Sequence, residues 1–164
     1  MHVCTISSRR TGKTASALPP LTAPAYVRLR REAAGMTVDQ LARALVLVAA
    51  HGWAAKRLTL EEGRSRHRRM LDQVRLIERE GAVIRDAAAM RLIQSVMPFD
   101  PAVYRALAET PAGDHPRVCR GCGCSDHDAC VTESAGDEQI CSLVTRNVCS
   151  RCLAVSLAQV GAAA

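Results

Sequence analysis

Aromatic side chains are scarce in this sequence: one Trp, one Phe and two Tyr make up 2% of 164 residues. A core must then be assembled from Ala, Leu, Val, Ile and Met, which favours helices over sheets. Long apolar runs are missing as well. The longest useful stretch, residues 44–50, falls far short of the roughly 18–20 residues that span a bilayer. The N-terminus carries charge but no apolar segment of about 7–15 residues, so no secretory signal is expected and a cytoplasmic setting is. Without export, a disulfide framework has no oxidising compartment to form in.

What the sequence does have is thiol. Eight cysteines are present, and seven of them fall between Cys119 and Cys152, with Cys4 alone outside. Charge is also unevenly placed. Residues 1–113 hold 18 Lys/Arg against 10 Asp/Glu, whereas residues 114–152 hold 4 against 6, within a chain of net charge +6. The basic surface therefore belongs to the first part, and suits a polyanionic partner.

Residues 1–24 read as a flexible basic tail, rich in Ser, Thr and Arg and interrupted by Pro19, Pro20 and Pro24. Its string Arg10-Thr11-Gly12-Lys13-Thr14 resembles the end of a phosphate-binding loop. The first glycine of such a loop would stand at position 7, which is Ser7, and no strand precedes it. Residues 25–110 are expected to form a helical domain. Tyr26, Leu29 and Ala33 recur at helical spacing up to Gly35, a stop residue. Thr37 and Gln40 make a capping-box pattern for a second helix whose apolar face is Val38, Leu41, Ala42 and Leu45. A third helix is expected over about 60–80, a fourth over about 86–96, and a fifth opens at Asp100-Pro101, an N-cap followed by proline. Residues 46–59, with Gly52 and Trp53, stay unassigned. Residues 111–116 read as a linker and 117–164 as a cysteine-rich module ending in a helix.

The module's spacing is C-x2-C-x-C-x5-C-x10-C-x7-C-x2-C. Two C-x2-C pairs, Cys119/Cys122 and Cys149/Cys152, can each aim two thiolates at one tetrahedral Zn²⁺ at about 2.3 Å. Leu153, Leu157 and Val160 follow at helical spacing, which puts Cys149 and Cys152 in a first helical turn, where free N–H groups stabilise thiolate. A knuckle, a short hairpin and a helix carrying the second pair describe a treble-clef-like zinc module. So short a module, with few large apolar side chains, needs the metal to fold. Arg117, Arg120, Arg146 and Arg151 are candidates to offset the thiolate charge. Cys124, His127, Cys130 and Cys141 supply a second, Cys3His set. Buried free thiols, seven cysteines sharing metals through bridging thiolate, and an iron–sulfur cluster are the alternatives. A closed four-thiolate site lacks an open coordination position, so no enzyme is expected.

The segment Tyr26-Val27-Arg28-Leu29-Arg30-Arg31-Glu32-Ala33-Ala34-Gly35-Met36-Thr37-Val38-Asp39-Gln40-Leu41-Ala42 resembles the opening of a phage-repressor-type helix-turn-helix domain. Leu76-Ile77-Glu78-Arg79-Glu80-Gly81 is similar to the segment such domains show after the recognition helix. The resemblance implies a recognition helix soon after Leu45, where no turn followed by a polar helix is legible. The cysteine stretch is similar to the tail of small prophage and bacterial proteins that open with a helix-turn-helix-like segment, although Leu143 stands near where their tryptophan falls. The resemblance implies a mainly α architecture and a phage or bacterial origin. Arg64, Arg66, Arg68, Arg69, Arg75 and Arg79 form the densest basic set, apt for duplex DNA phosphates. A DNA-binding regulator with a structural zinc module is the leading expectation, with a homodimer open. A protein-binding adaptor or inhibitor on a degenerate helix-turn-helix scaffold is the other.

Overall fold

A computed structural model describes residues 18–51, 59–134 and 137–161. The tail through residue 17, with its phosphate-loop-like string and Cys4, lies outside the described residues, as does 52–58 with Gly52 and Trp53. The protein is mainly helical. Its elements run α1 (Ala23–Ala33), α2 (Val38–His51), α3 (Leu60–Ile77), α4 (Ala87–Gln94), α5 (Pro101–Glu109), a 3-10 turn, β1 (Val131–Ser134), β2 (Asp137–Ile140) and α6 (Ser150–Gly161). Among the described residues, no single helix is long and apolar enough to cross a membrane.

Local chemistry sets the helix ends. Thr22 caps α1 inside the stretch read as tail, and Leu21 beside it is buried. Gly35, at φ 68°, turns the chain so that α1 and α2 meet at 90°. The expected box at α2 is closed in both directions: Gln40 N–H donates to Thr37 Oγ1 at 3.1 Å, and Thr37 N–H to Gln40 Oε1 at 2.8 Å. Thr59 and Glu62 repeat that device on α3, while Asp86 and Asp100 cap α4 and α5. Each such cap contributes about 1 kcal/mol. Helix α2 continues past Leu45 to His51, so no turn falls within residues 46–51.

Helix α2 packs on α3, α1 on α5, and α4 on both α2 and α5. The three described aromatics sit at the centre of this core: Phe99 lies between Tyr26 and Tyr104, with ring centroids 5.6 and 5.7 Å away. Each tyrosine hydroxyl accepts a backbone N–H, from Asp100 at 3.0 Å and from Ile84 at 2.8 Å. These bonds pin the loops before α4 and α5. The two segments that carried the helix-turn-helix resemblance are joined by a buried, two-pronged contact: Arg31 Nε and Nη2 donate to the Glu78 carboxylate at 2.6 and 2.9 Å. Arg28 adds a bond to the Glu78 carbonyl at 2.9 Å. Two arginines of α1 therefore hold the C-terminal end of α3.

Candidate metal centre and basic face

Two tight turns and a hairpin bring the seven cysteines together. In the first turn Cys119 N–H donates to the Cys124 carbonyl, and Gly123 N–H to the Cys119 carbonyl, both at 2.8 Å. Gly121 and Gly123 are required there. A Cβ on Gly121 would stand 2.8 Å from Cys152 Sγ; one on Gly123, at φ 76°, would stand 2.8 Å from Arg30 Cδ. Strands β1 and β2 pair antiparallel with Val131 opposite Ile140, and Cys141 N–H donates to the Cys130 carbonyl at 2.9 Å. Cys149 immediately precedes α6 and Cys152 lies in its first turn.

The sulfurs of Cys119, Cys122, Cys149 and Cys152 all lie within 4.8 Å of one another. Cys122 and Cys149 are 3.7 Å apart. That is far beyond the roughly 2.05 Å of a disulfide. It matches the edge of a tetrahedron, about 3.8 Å, that four sulfurs at about 2.3 Å from a zinc ion would form. The buried thiols can therefore hold a metal ion, and the four named residues make a closed set. Two further groups, Cys122/Cys124/Cys130 and Cys124/Cys141/Cys149, meet the same distance test. His127 is exposed and belongs to none of these groups.

Hydrogen bonding prepares several sulfurs for the thiolate form. Cys141 Sγ accepts the Cys130 N–H at 3.0 Å, and Cys119 Sγ accepts the Cys149 N–H at 3.4 Å. Considered as thiols alone, the bond with Cys122 holds Cys130 down to about 5, and the Arg30 guanidinium helps. The same bond, with burial, pushes Cys122 up. Burial pushes Cys149 up too, but the Cys152 N–H and the Cys119 thiol outweigh it and bring the group to about 7. Burial raises Cys124, and pushes Cys152 up to about 12.

Comparison with protein-family models, curated proteins and solved structures found no match.

The cation beside the thiols comes from α1. Arg30 is buried, and its Nη1 lies 3.4 Å from the Cys122 carbonyl and 3.9 Å from Cys130 Sγ. Its Nη2 forms an ion pair with Asp128 at 2.7 Å. Its Nε donates to the Pro98 carbonyl at 3.0 Å. The module arginines singled out in the sequence are used otherwise. Arg117 and Arg146 donate to the carbonyls of Leu143 and His115 at 3.3 and 3.1 Å, and Arg120 to that of Pro19. Arg151 is exposed. Arg30 was missed in the sequence because it lies 92 residues from Cys122. The one available signal was an arginine four residues after Tyr26, on the inner side of α1 by helical spacing.

On α3, Arg64, Arg68, Arg69 and Arg75 are exposed and Arg66 is half-buried; exposed Arg79 follows the helix cap at Glu78. Arg64, Arg68 and Arg75 share one face by helical spacing. Of the six, only Arg75 has an acidic ion-pair partner among the described residues, Asp72 at 3.6 Å. The apolar stripe of α6 is not packed down: Val155, Leu157 and Val160 are exposed, and Leu153 partly so.

Proposed function

We propose that this chain is a DNA-binding regulator of phage or bacterial origin, and that α3 is the helix it lays on duplex DNA. The observation that carries the reading is the solvent-facing arginine set of α3, almost free of acidic partners among the described residues. Phosphates recruit such a face by releasing counterions. The chain order supports it too. Helix α3 ends directly in the Leu76–Gly81 segment, which phage-repressor-type domains show after the recognition helix, and Arg28 and Arg31 brace that end. Aromatics are few and the three described ones are in the core, which disfavours readings based on base stacking.

The cysteine module is, on this reading, a treble-clef-like structural element holding Zn²⁺ through Cys119, Cys122, Cys149 and Cys152. Its turn, hairpin and helix support the treble-clef description. A duplex-binding titration at two salt concentrations tests the function. Affinity should fall steeply with salt, by a slope of about 0.9 per phosphate engaged. Changing Arg64, Arg66, Arg68 and Arg69 together to Gln should weaken binding and flatten that slope. No binding at low salt, or affinity indifferent to both changes, overturns the proposal.

The exposed apolar side of α6 favours a second reading, a protein-binding adaptor on the same scaffold. Copurification of one stoichiometric protein without nucleic acid would replace the first reading with it.

A further inference from the structure

We infer that the seven cysteines of the module hold two zinc ions in one cluster, with the Cys122 thiolate bridging them. The inference rests on the zinc reading of the Cys119/Cys122/Cys149/Cys152 site and is independent of DNA binding.

Valence and distance both support the cluster. Two tetrahedral zinc ions need eight ligand positions, and seven thiolates fill eight when one of them bridges. The first centre takes Cys119, Cys122, Cys149 and Cys152. Cys124, Cys130 and Cys141 then need a fourth donor. His127 is exposed and lies in none of the ligand groups, so a separate Cys3His site is not assembled. Cys141 reaches the set through Cys124 and Cys149, and Cys122 is assembled with Cys124 and Cys130. Its Sγ lies 3.4 Å from Cys130 Sγ on one side and 3.7 Å from Cys149 Sγ on the other, edge lengths suited to a tetrahedron on each side. Cys124 and Cys141, 3.6 Å apart, form another such edge.

Charge agrees with this arrangement. Seven thiolates facing two dications leave a net charge of about −3, which a buried site cannot carry without nearby cations and N–H donors. Arg30 enters where the two centres would join, with Nη1 3.4 Å from the Cys122 carbonyl and 3.9 Å from Cys130 Sγ. It comes from α1, so filling the second centre would lock the cysteine module onto the helical domain. A lone first centre would leave Cys124 and Cys130 as buried thiols with no ligand role, Cys130 of them beside that guanidinium.

The test is elemental analysis of the full-length protein, wild type and two variants, with a ¹¹³Cd-substituted sample for resonance. Wild type should carry two zinc ions per chain, and His127→Ala should keep both. Cys141→Ser should lose about one ion per chain. The cadmium form should give two resonances coupled through the shared sulfur. One zinc in wild type overturns the cluster while leaving the four-cysteine site in place; no metal overturns both. A drop to one zinc in His127→Ala, two uncoupled cadmium resonances, or iron in place of zinc each overturns the inference. Should Cys141→Ser fail to fold, the wild-type and His127→Ala counts decide the matter.

Discussion

Replacing Arg30 by Met removes a charge from the junction between the helical domain and the cysteine module while keeping the apolar stem that packs on Gly123. The Arg30 side chain is 2% exposed and its partner Asp128 20%. Losing one member of a buried pair costs about 3–5 kcal/mol, because the other is left unpaired. The lower end applies, since Asp128 keeps some solvent. The Pro98 carbonyl also loses its donor. A loss of about 3 kcal/mol lowers the melting temperature of a chain this size by about 6–12 °C. Thermal unfolding of the zinc-loaded protein, followed by circular dichroism, measures it. The double variant Arg30→Met/Asp128→Asn should recover part of the loss, since no charge is then stranded. A shift below about 2 °C, or strictly additive single and double variants, would refute the claim that this ion pair joins the two parts.

Three further outcomes are expected. Glu78→Ala should cost about 3 kcal/mol, the low end for breaking a buried pair because Arg31 keeps Glu32 and the Met36 carbonyl, and should loosen the end of α3; urea unfolding with amide exchange across residues 74–81 reads both. Gly121→Ala should displace the Cys152 sulfur and weaken zinc binding by about 10–100-fold, measured by competition with a chelator; unchanged affinity would mean that the turn relaxes freely. Burial raises both Tyr26 and Tyr104 above the usual 10.0, so the stability they contribute should be complete below that pH and shrink as pH climbs past it toward their folded values. Phenolate absorbance against pH should show both titrating late in the folded protein and normally in urea, and ordinary titration of either when folded would be the contrary result.

Sequence by itself determined whatever depends on near neighbours. Helix starts were legible at Thr37, Asp86 and Asp100 because a cap acts within three residues, and the C-x2-C pairs announced a cluster of thiols able to hold a metal because each is a single turn. Low aromatic content implied helices, and the protein is mainly helical. Contacts distant in sequence needed the tertiary structure. It supplied Arg30 to the thiols, joined Arg31 to Glu78, and left His127 exposed where a fourth ligand had been expected. It also carried α2 unbroken past Leu45 and left the α6 stripe in solvent. Ion pairs and shared thiolates are set by which surfaces meet, and chain spacing does not encode the packing of α1 against the module's first turn.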